Sequence, residues 1–415
     1  MSGQTLSDVL IVGAGPAGLS AAAEAAKYGL SVVVLDEYMR PGGRLLGQLH
    51  QEPGGHWWNG IRVAERLAEQ AREAGAVVCT GVSVTGLERQ TGEAEGWDVW
   101  TGSGKFRARR LLLATGAAET TVPLPGWTLP GVMSIGAAQV MTNVQRVRVG
   151  RRGIVIGMSV LAMAIVAELR LAGIEIAAIV LPPRHPLSGE AAVPVKVLKS
   201  LLRVSHLAPN RLFRIGAKLI RPAFLRKLAA AGYPKGGLKL LGIPLQLRRA
   251  AVEIVGEQCV EGVRIVDVRP DGSAIPGSER LMEADFVCIA GGLYSLAELA
   301  AVAGCPFRYS SQLGGHVPVH DERMRTSLPG LYVAGNITGV ESAKVAIAQG
   351  RAAGIAMALD ACGASPERAD LLEAALEEVK QARRDALIQF QPGIAEARAS
   401  LYREPWQKEN VSGEP

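Results

Sequence analysis

A glycine-rich turn near the N-terminus has the pattern of a diphosphate-binding site. It reads Gly13-Ala14-Gly15-Pro16-Ala17-Gly18, after the apolar run Val9–Val12 and before an alanine-rich stretch. In such a turn the first glycine permits the tight bend, the second lets the backbone approach a diphosphate, and the third lets helix and strand pack closely. The amides at the helix start then bind the diphosphate. The predicted contacts are Gly13, Gly15, Pro16, Ala17 and Gly18.

Acidic residues follow at the distance that such a turn requires. Asp36 and Glu37 come directly after the apolar run Ser31–Leu35. A carboxylate about 20 residues after the glycine turn accepts hydrogen bonds from a ribose hydroxyl. We predict Asp36 for this role because it follows the strand immediately, with Glu37 as the second choice. The alternative is a glycine-rich turn with surface acids.

Three later motifs accompany the first one: Pro41-Gly42-Gly43-Arg44, Leu111–Gly116, and Thr326–Asn336, which is followed by Gly339 and Ala343. Together the four motifs resemble the FAD/NAD-linked disulfide-reductase superfamily over roughly residues 8–360. This resemblance implies an α/β fold with two Rossmann-like dinucleotide-binding domains, as in glutathione reductase. It also implies that the cofactor is FAD.

The resemblance assigns the remaining cofactor contacts. In that superfamily the Ala-Thr-Gly turn closes over the FAD, the late turn places an acid on the ribityl chain, and the following helix points at the flavin. The residues carried over are Gly43, Arg44, Val84, Ala114, Thr115, Gly116, Gly335, Asn336 and Ala343. The family's aspartate is Asn336 here, which can still hydrogen-bond a hydroxyl but brings no charge.

A second strand–turn–helix–strand unit, from Gly153 to Leu181, should hold the NAD(P) site. Its turn has Ser159 where the second glycine belongs, and its second strand ends in Pro182 and Pro183 without an acid. The Ser159 side chain would crowd a diphosphate. Arg184 could suit a 2′-phosphate. We favour a structural domain with a weak or lost nucleotide site over an occupied one.

The spacing of the five cysteines excludes the close cysteine pair that lies beside the flavin in disulfide reductases. Cys79, Cys259, Cys288, Cys305 and Cys362 lie far apart in the sequence, and no CxxC is present. We therefore expect no redox disulfide, no metal site and no iron–sulfur cluster held by this chain. No acid–base catalytic residue is assigned. His50, His56, Trp57 and Trp58 could approach the flavin, although packing or surface roles are the stronger interpretation.

The surrounding elements predict four segments: residues 1–122 as the first part of the FAD domain, 123–285 as the NAD(P)-like domain, 286–362 as the second part of the FAD domain, and 363–415 as a helical tail. We expect helices over 60–75, 342–359 and 366–388. We expect a basic insert over 193–250, because no acid occurs between Glu190 and Glu253. We predict that this insert is helical over 193–232.

Composition narrows the class of protein. The 415 residues are 48% hydrophobic and 20% charged, with a net charge of +6 that comes largely from the basic insert. The insert is either a solvated face, a docking surface for a partner subunit, or a membrane-surface patch. No secretory signal pattern opens the chain. We expect a cytoplasmic protein without nucleic-acid partners, with peripheral association with the inner membrane as an alternative.

One connector points to a narrower family. The stretch Val122–Met133, followed by Gly136-Ala137-Ala138-Gln139, looks like the FAD-binding α subunit of heteromeric opine oxidases, D-hydroxyproline and proline dehydrogenases, hydrogen cyanide synthase and sarcosine oxidase. In that family a D-amino-acid-oxidase-like β subunit oxidises a C–N bond, and electrons pass through a two-iron two-sulfur centre. Because no cysteine follows Cys362, the resemblance implies a separate small ferredoxin-like subunit.

Three functions remain open. The first is an FAD-containing electron-transfer subunit of a heteromeric dye-linked amino- or imino-acid dehydrogenase, which we favour. The second is a stand-alone NAD(P)H-dependent flavin oxidoreductase. The third is a non-catalytic assembly subunit that keeps FAD for stability.

Overall fold

The computed structural model describes residues 6–52, 54–92, 95–203, 220, 222–234, 236–240, 242–363, 365–391 and 393–403. These residues form two compact units. Unit 1 holds the described residues of Met1–Leu46, Asn59–Ala118 and Leu293–Pro415, and unit 2 holds those of Gly47–Trp58 and Glu119–Gly292.

The strands are β1 (Leu6–Val12), β2 (Val32–Asp36), β3 (Leu49–Gln51), β4 (Trp57–Asn59), β5 (Val77–Thr80), β6 (Val84–Gln90), β7 (Gly96–Thr101), β8 (Gly104–Leu113), β9 (Ala117–Glu119), β10 (Val132–Ser134), β11 (Arg152–Ile156), β12 (Glu175–Leu181), β13 (Leu238–Leu240), β14 (Ile243–Val255), β15 (Gly262–Asp267), β16 (Arg280–Glu283), β17 (Phe286–Ile289), β18 (Leu293–Ser295), β19 (Phe307–Ser310), β20 (Gly315–Pro318) and β21 (Leu331–Val333). The α-helices are α1 (Pro16–Ala26), α2 (Gly60–Glu73), α3 (Ile135–Asn143), α4 (Val160–Leu171), α5 (Pro194–Arg203), α6 (Ala223–Ala231), α7 (Glu298–Val302), α8 (Ala343–Cys362), α9 (Pro366–Arg384) and α10 (Ile394–Arg403).

Unit 1 is built on a seven-stranded sheet with the order β5-β2-β1-β8-β7-β6, and β21 also pairs with β8. The pairs β1–β2, β1–β8, β2–β5 and β8–β21 are parallel, whereas β6–β7 and β7–β8 are antiparallel. Val9, Leu10 and Ile11 are fully buried, as expected for a parallel strand covered on both faces. The carboxyl ends of β1, β2, β8 and β21 therefore meet at one edge.

The helices α1 and α8 pack so closely that glycine is required between them. A Cβ on Gly350 would lie 2.1 Å from the Ala17 carbonyl oxygen, and one on Gly354 would lie 2.6 Å from that of Ala21. The length and hydropathy of α8 would permit a membrane span, but 72% of its most apolar window is buried in the protein. Burial of this kind is typical of a core helix.

Unit 2 has its own eight-stranded sheet with the order β10-β17-β11-β12-β14-β15-β16, and β13 pairs with β14. Parallel pairing runs from β10 to β14, and antiparallel pairing follows from β14 to β16. The predicted segment boundary at residue 286 coincides with the start of β17, which pairs within this sheet. The compact units instead divide after Gly292.

The predicted α/β architecture with two dinucleotide-type sheets and a helical tail is confirmed. The predicted helix over 366–388 is α9, which ends at Arg384. The basic helical segment over 193–232 is seen at its two ends, as α5 and α6, while residues 204–219 lie outside the described residues.

Candidate functional site

The turn between β1 and α1 can be formed only by glycine at two of its positions. Gly13 has φ +106°, and a Cβ there would lie 2.4 Å from the Ala114 carbonyl oxygen. A Cβ on Gly18 would lie 1.9 Å from the Gly13 carbonyl oxygen. Such distances exclude any side chain, so these two glycines hold α1 tightly against the ends of β1 and β8.

Gly15 is different, because a Cβ at this position would meet no atom within 4 Å. It is the N-cap residue of α1 and offers no side-chain cap, and Pro16 follows at the first helical position. Proline has no N–H, so the first free amides are those of Ala17 and Gly18. Open space in front of uncapped amides at the positive end of a helix suits a diphosphate.

The carboxylate of Asp36 is bound directly to this turn. One oxygen accepts a hydrogen bond from the Ala14 amide at 2.6 Å, and the other accepts one from the Tyr38 amide at 2.8 Å. Burial raises the pKa of Asp36, and the two donated hydrogen bonds oppose that shift. Glu37 is exposed. The structure thus brings Asp36, and not Glu37, to the glycine turn.

The second motif packs on the first. The Gly42 amide donates to the Ala14 carbonyl at 2.7 Å. Gly43 has φ +53°, and a Cβ on it would lie 3.2 Å from the Gly15 Cα. The Arg44 Nε donates to the Ala117 carbonyl at 3.0 Å. This motif therefore forms one side of the open space above Gly15.

The third motif continues β8 past the end of β1. The Ala114 amide donates to the Val12 carbonyl at 2.8 Å. The Thr115 hydroxyl donates to the Leu296 carbonyl, and the Leu296 amide donates back to the Gly116 carbonyl at 3.1 Å. The Ala-Thr-Gly turn is thus held in place by the chain that follows β18.

The fourth motif lies against the start of α1. A Cβ on Gly335 would lie 2.9 Å from the Ala17 Cβ. The Asn336 Oδ1 accepts a hydrogen bond from the Glu341 amide at 3.1 Å, a role that an aspartate would also fill. Ala343 is the first residue of α8, whose N-cap Ser342 accepts a hydrogen bond from the Val345 amide. All four motifs of unit 1 therefore surround the N-terminus of α1.

Two residues at this site were missed from the sequence. The Val82 amide donates to the Asp36 carbonyl at 2.9 Å, and both Val82 and the predicted Val84 pack against the hydrophobic core of unit 1. The Gln349 side chain, 1% exposed, accepts a hydrogen bond from the Gly335 amide at 2.9 Å. The available signal for Gln349 was a glutamine between Ala348 and Gly350 in an alanine-rich helix.

Unit 2 repeats the turn with a different helix start. Gly157 has φ +115°, and a Cβ there would lie 2.2 Å from the Ala290 carbonyl oxygen, which parallels Gly13. Ser159 is the N-cap of α4, and its hydroxyl accepts a hydrogen bond from the Ala162 amide at 3.1 Å. The Ser159 hydroxyl is therefore hydrogen-bonded to an amide, that of Ala162, which a bound diphosphate would otherwise use. Arg184 is exposed after β12.

A buried acid lies in unit 2. Glu168, 4% exposed, accepts hydrogen bonds from Gln139 at 2.8 Å, from Asn143 at 2.7 Å and from the Leu49 amide at 3.2 Å. Burial raises the pKa of Glu168 to about 7, although these donors pull it downward.

The aromatic residues predicted near the flavin belong to unit 2. His50 and Trp58 stack with ring centroids 6.1 Å apart, and the Trp58 Nε1 donates to Gln48 at 3.0 Å. Trp57 is 54% exposed, and His56 is exposed as well. These contacts support the packing and surface interpretation.

The five cysteines lie apart from one another in the sequence, and burial affects the thiol pKa of two of them. All five are free thiols, and burial raises the pKa of Cys288 to about 12 and that of Cys305 to about 11. Among the described residues, no group of three His, Cys, Asp or Glu side chains could hold a metal ion.

Known proteins share this sequence and fold. The family model described as pyridine nucleotide-disulphide oxidoreductase matches residues 7–192 and 228–350. The chain is 30% identical over 371 residues to an opine oxidase subunit of Agrobacterium tumefaciens (strain Ach5), covering 85% of this chain and 65% of that protein. It is 27% identical over 395 residues to hydrogen cyanide synthase subunit HcnB of Pseudomonas aeruginosa, covering 93% and 77%. The crystal structure of L-proline dehydrogenase from P. horikoshii matches with a TM-score of 0.62 at 21% identity, covering 90% of this chain and 59% of that one.

Proposed function

Since the chain belongs to the pyridine nucleotide-disulphide oxidoreductase family, we propose that it is the FAD-containing electron-transfer subunit of a heteromeric amino- or imino-acid dehydrogenase. The observation that carries the proposal is the N-terminus of α1. There, an uncapped helix start faces open space at Gly15 and is surrounded by four motifs. The chain spans 65% of the opine oxidase subunit that it matches, so the activity of the complete assembly belongs to the proposal.

The residues present fit FAD. The amides of Ala17 and Gly18 would bind the diphosphate, and Asp36 would accept from the ribose while staying fixed by Ala14 and Tyr38. The Asn336 side chain would face the ribityl chain. When bound, FAD supplies the redox chemistry. The polypeptide supplies binding and orientation.

The second glycine turn supports a source of electrons other than NAD(P)H. Ser159 already caps the amide of Ala162, and β12 is followed by prolines and an exposed Arg184 instead of an acid. No close cysteine pair occurs anywhere in the sequence. These features argue against disulfide reduction and favour a partner protein as the electron donor.

The proposed partners follow from the relatives. Two of them are named as subunits, of opine oxidase and of hydrogen cyanide synthase. We propose a D-amino-acid-oxidase-like β subunit that oxidises an opine, hydroxyproline or proline substrate, and a small ferredoxin-like subunit that carries a two-iron two-sulfur cluster. The basic helices α5 and α6 and the tail helix α9 are the docking candidates. A cytoplasmic location, with peripheral membrane attachment through α5 and α6, is part of the same proposal.

Anaerobic reduction tests the proposal. The isolated chain should contain FAD that NADH reduces slowly, while amino- or imino-acid substrate should reduce it promptly in the complete complex. Rapid bleaching of the isolated chain by NADH would instead support the stand-alone oxidoreductase. FAD that stays oxidised in a turning-over complex would support the third function, a non-catalytic role in assembly.

A further inference from the structure

A cavity of about 360 Å³ lies in unit 1 where the start of α8, the end of α9 and α10 come together. Apolar side chains line much of it, among them Val345, Ile388 and Phe390. Two arginines, Arg383 from α9 and Arg398 from α10, also line it. None of the predicted cofactor-binding residues does. Its lining residues Ser342 and Val345 lie close in sequence to the predicted contact Ala343.

The Arg398 side chain is fixed almost completely inside the protein. It is 1% exposed, and its Nη2 lies 2.6 Å from a carboxylate oxygen of Glu341. Its Nη1 donates to the Thr338 hydroxyl at 3.1 Å, and its Nη2 donates to the Gly339 carbonyl at 3.3 Å. The same Glu341 accepts a hydrogen bond from the Arg383 Nε at 3.0 Å.

The Arg398 Nε is buried and has no acceptor among the described residues. The Arg383 guanidinium interacts with the Tyr402 side chain. A buried charged donor without an acceptor destabilises the folded protein, so the Arg398 Nε is the atom of this cluster that lacks a partner.

The charges of the cavity-lining arginines are not balanced by the acids around them. Two guanidinium groups share the single buried carboxylate of Glu341. Lys380 and Arg384 also line the cavity, but both pair with Glu377. Glu322 is exposed, so solvent screens its charge. Counted over the described residues alone, Arg383, Arg398 and Glu341 together carry one positive charge that no buried acid balances.

The imidazole ring of His320 lies near these arginines but does not alter the charge balance. His320 is completely buried, and burial together with the charge of Arg398 lowers its pKa to about 3. It is therefore neutral at physiological pH. Its ring packs edge-on against Tyr402, which closes one side of the cavity.

We propose that this cavity binds a small organic monocarboxylate with an apolar body, whose carboxylate pairs with the guanidinium group of Arg383, the more exposed of the two arginines. One negative charge would balance the charges of Arg383, Arg398 and Glu341. The apolar side chains would cover the rest of the ligand, as in most small-molecule sites.

Isothermal titration of the full-length chain with 3-phenylpropanoate tests the proposal. We expect saturable binding, and no binding of the neutral isostere 3-phenylpropan-1-ol. The variant Arg383→Met leaves Arg398 and Glu341 as a balanced pair, so it should fold and bind at least tenfold more weakly. Arg384→Met removes a neighbouring guanidinium that is already paired with Glu377, and it should bind as the wild type does.

Several results would overturn the proposal: no heat from the carboxylate, equal affinity for the alcohol, or unchanged binding by a folded Arg383→Met variant. Binding that appears only after Glu404, Glu409 and Glu414 are all changed to glutamine would also overturn it. The acceptor would then be the chain's own C-terminal segment. The thermal denaturation midpoint of each variant shows whether a loss of binding reflects unfolding.

Discussion

Replacing Gly15 with alanine should weaken FAD binding while leaving unit 1 folded. The backbone at Gly15 has φ −78° and ψ −174°, which alanine adopts without strain. The added Cβ meets no protein atom within 4 Å. It would project into the space where the diphosphate is expected, in front of the amides of Ala17 and Gly18.

The magnitude follows from what the methyl group displaces. Alanine is a poorer N-cap than glycine, which should lower the free energy of unfolding by at most about 1 kcal/mol. Moving a phosphate away from one amide loses a charge-assisted hydrogen bond of about 1.5–3 kcal/mol. That loss corresponds to a dissociation constant for FAD roughly 10- to 150-fold higher.

Flavin fluorescence quenching on titration of the apoprotein measures this constant. Gly102→Ala is the matched control, because Gly102 lies in the β7–β8 turn and a Cβ there also meets nothing within 4 Å. It should bind FAD normally. If Gly15→Ala binds FAD as tightly as the control, the diphosphate does not lie at the start of α1.

Three further predictions concern acids and caps. Asp36→Asn should weaken FAD binding about tenfold by loss of an acceptor, while exposed Glu37→Gln should not; equal quenching constants would contradict this. Ser159→Gly should lower the free energy of unfolding by a few tenths of a kcal/mol and strengthen NADH binding by freeing the Ala162 amide; unchanged affinity in a NADH titration would refute it. The raised pKa of Glu168, about 7 against 4.5 when unfolded, means that the folded state binds the extra proton, so stability should fall by roughly 3 kcal/mol between pH 4.5 and pH 7. Urea denaturation should show this slope in the wild type and not in Glu168→Gln; an identical slope in both would contradict it.

The glycine motifs were predictable because their requirements are local. Gly13 has a positive φ, and Gly18 lies against the Gly13 carbonyl only five residues earlier in the chain. Both requirements select glycine and are therefore visible in the sequence. The position of Asp36 followed from the length of one strand–helix–strand unit. Spacing alone was therefore enough to bring the acid to the turn.

Contacts between distant segments were not predictable in this way. Gln349 reaches the Gly335 amide across a helix start, and Glu168 is held by residues of two other segments. The buried pairing of Arg398 with Glu341 joins positions 57 residues apart. A single sequence offers no periodicity that relates such partners.

The position of β8 has a consequence for biosynthesis. This strand pairs with β1 on one side and with β21 on the other, so the centre of unit 1 joins the first and last thirds of the chain. Until residues 331–333 leave the ribosome, the apolar end of β8 stays unpaired on that side and α1 lacks the glycine face of α8. Domains form during translation as soon as their segments are available. Unit 2 is complete once Gly292 has emerged, whereas flavin capture must await nearly full-length synthesis, and a chain stalled before β21 would carry the glycine turn without the means to retain its cofactor.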